Sequence, residues 1–137
     1  MKIDHDYLKG LLEAFEASDK STTTILELKD RGYDYADEGE KFLFHMQILY
    51  DKQLIASESG ILGFGFDRSA DGMPCWSVFN LRLTASGHDF LEALRNSQVW
   101  ATLKREFKDV SIGTLLKVSK DLLEGYTKKK VESLLLG

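Results

Sequence analysis

A chain of 137 residues with 43% hydrophobic and 29% charged side chains is the size of one domain. It can bury a core without disulfide or metal staples, and it lies far from the composition of disordered segments. Its net charge of −4 hides a division: residues 1–94 carry 17 Asp/Glu against 9 Lys/Arg, whereas residues 95–137 carry 5 against 9, so the first part repels a polyanion and the second weakly attracts one.

Asp4 is placed to cap a first helix, with Leu8, Leu11, Leu12 and Phe15 at helical spacing and an end near Ser18. The β-branched run Thr22-Thr23-Thr24-Ile25-Leu26-Glu27-Leu28 reads as a short strand, and Lys29-Asp30-Arg31-Gly32 as a turn. Asp34 or Asp37 caps the next helix, in which Phe42, Met46 and Leu49 share a face. Gly39 marks a break or a late start, and the helix stops around Asp51-Lys52. Two extended runs, Gly60 to Phe66 and Cys75 to Leu83, flank a connector with an Asp71-Gly72 dipeptide and the only proline, Pro74, which is a hairpin signal. In the second run Phe79, Leu81 and Leu83 point one way, Asn80 and Arg82 the other. Thr84 then caps a helix to about Arg95, Ser97 caps another carrying Trp100, Leu103 and Phe107, and Ser111 starts a third that Gly125 is expected to end. Thr127 opens a last short helix with Val131, Leu134 and Leu135.

These elements predict a mostly helical α+β fold. Residues 1–96 form a winged-helix-like core (helix, short strand, helix, β-hairpin, helix), and residues 97–137 a helical extension packed on the same core. One departure is expected: between Gly32 and Ile55 there is room for one good helix and a fragment, so the helix-turn-helix is reduced.

The stretch His45-Met46-Gln47-Ile48-Leu49-Tyr50-Asp51-Lys52-Gln53-Leu54-Ile55 resembles the end of a winged-helix recognition helix. Together with Arg82 through Asn96, Val99-Trp100 and Lys104, it resembles a bacterial and phage family known as domain of unknown function 2513. The resemblance implies a winged-helix-like fold and a frequent home in phages and prophages. It brings no catalytic residues.

No metal, cofactor or small-molecule substrate is expected. His5, His45 and His88 are far apart and lack ligand spacing. His88, in the first turn of a helix, reads as a locally hydrogen-bonded side chain. Gly60-Ile61-Leu62-Gly63-Phe64-Gly65 lacks the Gly-Lys-Ser/Thr ending of a phosphate loop and no helix follows it, so it reads as a glycine-relaxed strand. Cys75 has no cationic neighbour in sequence to activate it. As a lone cysteine it points to a reducing compartment, the cytoplasm, and residues 1–6 show no signal-peptide pattern. No apolar run is long enough for a membrane span. With no nucleophile–base or metal constellation, the chain is expected not to be an enzyme.

Two kinds of partner remain. A DNA-binding regulator would use Lys41, Gln47, Arg68 and Arg82. Phosphate contacts need cations, and from Tyr33 to Asp51 the chain offers Asp34, Asp37, Glu38, Glu40 and Asp51 against Lys41 alone, so nucleic acid is disfavoured. A protein partner, or a second copy of the chain, would meet a hairpin rich in Ile61, Leu62, Phe64, Phe66, Met73, Trp76, Val78 and Phe79, with Phe64, Phe66, Trp76 and Met73 as the contact patch. The same side chains also suit a core cover, and Lys128-Lys129-Lys130 suits either a solvated helix end or a weak anionic contact. The expected function is that of a phage- or prophage-type accessory or regulatory protein acting through protein–protein contact, as a homodimer or as an inhibitor of a host factor.

Overall fold

The computed structural model describes residues 1–137. The chain divides into two compact units, Met1–His88 and Asp89–Gly137. It is a mostly helical α+β protein with seven helices and two small antiparallel sheets.

Helix α1 spans His5–Glu16. The Asp4 carboxylate accepts the Tyr7 N–H at 3.0 Å, satisfying one of the amides a helix start leaves without an intrahelical partner. Leu8, Leu11, Leu12 and Phe15 are buried along one stripe, as their spacing requires.

The expected strand over Thr22–Leu28 is corrected. Only Thr23 pairs, in a single bridge to Leu81, and Ile25–Asp30 is a second helix, α2. The Thr24 hydroxyl accepts the Glu27 N–H at 3.3 Å and lies 3.4 Å from the Glu27 carboxylate. This Thr-x-x-Glu cap starts the helix despite the β-branched run before it. Leu28 turns inward and is completely buried.

A four-residue helix α3, Tyr35–Glu38, is capped by Asp34. Gly39 separates it from α4, Glu40–Asp51, by taking φ +58°, a conformation cheap only for glycine. Helix α4 buries Phe42, Leu43, His45, Met46 and Leu49.

Strand β1, Ile55–Ser57, is followed by a hairpin of β2, Phe66–Arg68, and β3, Pro74–Trp76, and then by β4, Leu81–Leu83. Strands β1 and β4 pair antiparallel with Ile55 opposite Leu83 and Ser57 opposite Leu81. The alternation read in the sequence holds here, since Leu81 and Leu83 are buried and Arg82 is exposed. The hairpin is shorter than its two extended runs. Residues 60–65 form no strand, with bends over 62–65 and Gly60, Gly63 and Gly65 all at positive φ, which ordinary strands do not use. Cys75–Leu83 likewise divides into β3 and β4 around an irregular 77–80.

Helix α5, Ala85–Arg95, begins where the Thr84 hydroxyl accepts the Gly87 N–H at 3.1 Å and donates to the Gln53 carbonyl at 2.6 Å. Gly87 lies directly against the Leu54 carbonyl oxygen, leaving no room for a β-carbon.

In the second unit, α6 spans Ser97–Glu106. Its cap is Asn96 rather than Ser97, because the Asn96 side-chain oxygen accepts from Gln98 N–H and Val99 N–H at 3.0 and 3.1 Å. Two expected helices prove to be one: α7 runs unbroken for 25 residues, Ile112–Leu136, capped by Ser111. Gly125 does not end it and Thr127 does not start another. Glycine only weakens a helix by about 1 kcal/mol, and the good helix formers Leu122-Leu123-Glu124 before it and Lys128-Lys129-Lys130 beyond it carry the helix through. Leu103 of α6 and Leu115 and Ser119 of α7 are buried.

Candidate partner-binding surface

The hairpin stands on an aromatic cluster. Trp76 pairs with Phe66 across the β2–β3 ladder, ring centroids 4.9 Å apart, and lies 5.7 Å from Phe42, 5.8 Å from Tyr35 and 6.2 Å from Phe64. The Tyr50 ring packs tilted against Phe64 at 5.8 Å, and its hydroxyl accepts the Gly63 N–H at 2.6 Å. Each ring pair adds about 0.5–1.5 kcal/mol beyond its area. The structure thus brings Phe64, Phe66 and Trp76 together, but as the foundation of the hairpin. Phe64 is buried, Phe66 and Trp76 are partly so, and the Trp76 indole N–H is enclosed without an acceptor. Met73 stands apart, exposed at the hairpin turn.

The outward apolar groups are others. Leu62 is 88% exposed, and Ile61, Val78 and Met73 are each more than half exposed. An open cleft of about 320 Å³ is lined by Glu58, Ser59, Ile61, Val78, Phe79 and Asn80. Its wall is held by the Glu58 N–H on the Asn80 carbonyl at 2.8 Å and by the Ser57 hydroxyl on the Ile61 carbonyl at 2.7 Å. The alternation from Phe79 to Leu83 placed Asn80 away from the core; Val78 lies outside it, and Phe79, expected to point inward, lines the cleft because residues 77–80 are irregular. No sequence signal marked Glu58 or Ser59, because their place depends on how residues 58–61 turn back.

Two of the three cations proposed for nucleic acid, Lys41 and Arg68, are ion-paired within the chain. Lys41 Nζ lies 3.1 Å from an Asp4 carboxylate oxygen and 4.8 Å over the Tyr7 ring. Arg68 lies 3.1 Å from Glu40 Oε1 and 5.1 Å over Phe66. Its hydrogen bond to Glu40 raises the Arg68 pKa further. Gln47 and Arg82 are exposed on separate elements, α4 and β4.

A buried polar network joins α1 to α3 and α4. The Asp4 N–H donates to His45 Nε2 at 3.0 Å, which makes Nε2 the acceptor and places the ring proton on Nδ1, 2.7 Å from the Lys41 carbonyl. Burial pushes the His45 pKa down. The Tyr7 hydroxyl donates to Glu38 at 2.7 Å, and burial together with that carboxylate drives the phenol pKa up. The Asp4 carboxyl is held below its usual range by the Tyr7 N–H and by Lys41. Nowhere do three His, Cys, Asp or Glu side chains gather in a way that could hold a metal ion.

A family model described as hypothetical protein (DUF2513) matches residues 2–113. The chain belongs to the DUF2513 family. The match covers the first unit, α6 and the first residues of α7, so most of α7 lies beyond the DUF2513 region. No curated protein and no solved structure matches the chain. No helix is long and apolar enough to cross a membrane.

Proposed function

We propose that this DUF2513 protein is a non-catalytic accessory or regulatory protein of the phage or prophage type, which works by binding another protein through the rim of its hairpin. One observation carries the reading: Ile61, Leu62, Met73 and Val78 are exposed around the hairpin, while the nearby cations Lys41 and Arg68 are paired with carboxylates. An apolar rim gains by removal from water, whereas a phosphate would first have to displace the carboxylates from Lys41 and Arg68. The test is affinity purification from host cells with and without nuclease, using wild type and the exposed-site variants Leu62→Asp and Val78→Asp. A nuclease-resistant partner lost in both variants is expected; capture that ignores both variants would overturn the reading. Alanine at Phe64 or Trp76 is the wrong test, because those rings hold the hairpin down.

A second reading, a winged-helix DNA-binding regulator, draws support from the element order. Apart from the short α3 between α2 and α4, helix α1, the Thr23 bridge, α2, α4, β1, the hairpin and β4 follow the winged-helix sequence, and α2 is a candidate for the helix that a helix-turn-helix needs before α4. Lys41, Gln47, Arg68 and Arg82 would then face the duplex. Duplex titration across salt concentrations decides: binding that weakens steeply with salt supports this reading, and none at low salt ends it.

A further inference from the structure

Residues 127–136 of α7 are helical, yet every side chain from Thr127 onward is exposed, with Leu134, Leu135 and Leu136 at 72, 82 and 91%. As the continuation of α7 this stretch needs no nucleus of its own, but it leaves Val131, Leu134 and Leu135 in water, and covering them would release that apolar surface. The segment therefore profits from a partner.

Val131, Leu134 and Leu135 stand at i, i+3 and i+4, with Lys128 one turn earlier on the same face. Traced back along the helix, that row passes Thr127, Glu124, Lys120 and Lys117. Two α7 helices laid side by side along it would bury charges rather than form an apolar seam. The apolar part covers only the last two turns, which suits a knob entering a cleft. It is led by Lys128-Lys129-Lys130, so the receiving surface should be apolar and acidic. The first unit of the same chain has both properties: residues 1–94 are net −8, and its cleft sets Glu58 beside Ile61, Val78 and Phe79.

We propose that the end of α7 docks into the Glu58–Phe79 cleft of a second copy of this chain, with Val131, Leu134 and Leu135 in the apolar part and Lys128 toward Glu58. This rests on the reading of the hairpin rim as a contact surface and names a second copy as its occupant. Reciprocal exchange closes a dimer, and one-way docking builds longer chains.

Sedimentation velocity of the full chain over a concentration series, at low and high salt, tests it. Mass should rise with concentration and less so at high salt. Leu134→Ser with Leu135→Ser, or Val78→Asp alone, should weaken association by at least about tenfold, the loss expected when a central contact is removed. All three positions are exposed, so the monomer keeps its fold. Glu58→Lys and Lys128→Glu should each weaken association, and an equimolar mixture of the two variants should recover it. In the mixture the reversed charge in one chain's cleft meets the reversed charge on the other chain's helix, and the second contact keeps the native Glu58 and Lys128, so both contacts carry opposite charges. A chain monomeric at all concentrations, or association indifferent to these variants, overturns the proposal. Pelleting of the monomer with anionic vesicles through the same leucines would overturn it too, in favour of a lipid surface. If Leu62→Asp and Val78→Asp abolish capture of a host protein while the chain stays monomeric, the self-docking fails and the hairpin reading stands.

Discussion

Where α4 meets α1, it presents His45 and Lys41, and both are engaged: His45 by the Asp4 N–H and the Lys41 carbonyl, Lys41 by the Asp4 carboxylate. Where it meets the hairpin, it presents Phe42 and Tyr50, which hold Trp76 and Phe64 and leave Ile61, Leu62 and Val78 facing water. One junction satisfies its polar groups internally, and the other leaves apolar groups outside. A residue's chemistry in sequence therefore says little about its availability. Lys41, the cation of the supposed recognition helix, is tied up, while Leu62, in a glycine-rich loop, is free to meet a partner.

The sharpest way to break this contrast is at its shared base. Phe42 is buried at 1% exposure and packs on Trp76. Phe42→Ala should cost about 3–5 kcal/mol, read as a lower denaturant midpoint, and should loosen the hairpin as well. A loss below about 1 kcal/mol would mean that the cluster is not a foundation. Gly87→Ala comes next, at about 1–3 kcal/mol, since the added methyl meets the Leu54 carbonyl. Thermal unfolding should show it, with the hairpin rim unaffected.

Titration sharpens the polar side. Because burial lowers the folded-state pKa of His45, the unfolded chain takes up its proton first. Stability should then fall as pH drops through about 6.5, levelling off only once the folded-state ring is also protonated. His45→Gln should flatten that part of the melting-temperature profile. The Asp4 carboxyl, also lowered, acts in a separate window, its contribution disappearing as pH falls below about 3.9. A profile unchanged by His45→Gln would show that the staple is not titrating. The smallest effect is expected from Lys41→Ala, under about 1 kcal/mol for a partly exposed pair, with duplex binding unchanged in a low-salt titration.

Much of this architecture is legible in the sequence. Asp4 and Ser111 cap the helices expected of them, and the Leu8–Phe15 and Phe42–Leu49 stripes are core, because a cap or stripe is defined by residues within a few positions of one another; Asp34 caps the short α3 and not the Phe42–Leu49 helix, which starts at Gly39 without a side-chain cap. The Thr22–Leu28 strand fails because β-branched preference is weaker than the Thr24-x-x-Glu27 cap, which is equally visible in the sequence. Gly125 fails as a terminator because a glycine ends a helix only where the chain turns left-handed there, and it does not. The candidate patch is half legible. Phe66 and Trp76 stand out together in the sequence, but their cross-strand pairing depends on register, and Glu58 joins the cleft only through a loop no local pattern specifies.

What the sequence determined by itself is the set of elements whose signals are local: helix caps, apolar periodicity, the excess of acid in the first 94 residues. Only the tertiary structure decided which rings face inward, which cations are paired, and which apolar side chains remain exposed. The reason is physical: burial and ion pairing depend on neighbours tens of residues away, as Asp4 is from His45 and Glu40 from Arg68, and no nearest-neighbour pattern encodes that distance.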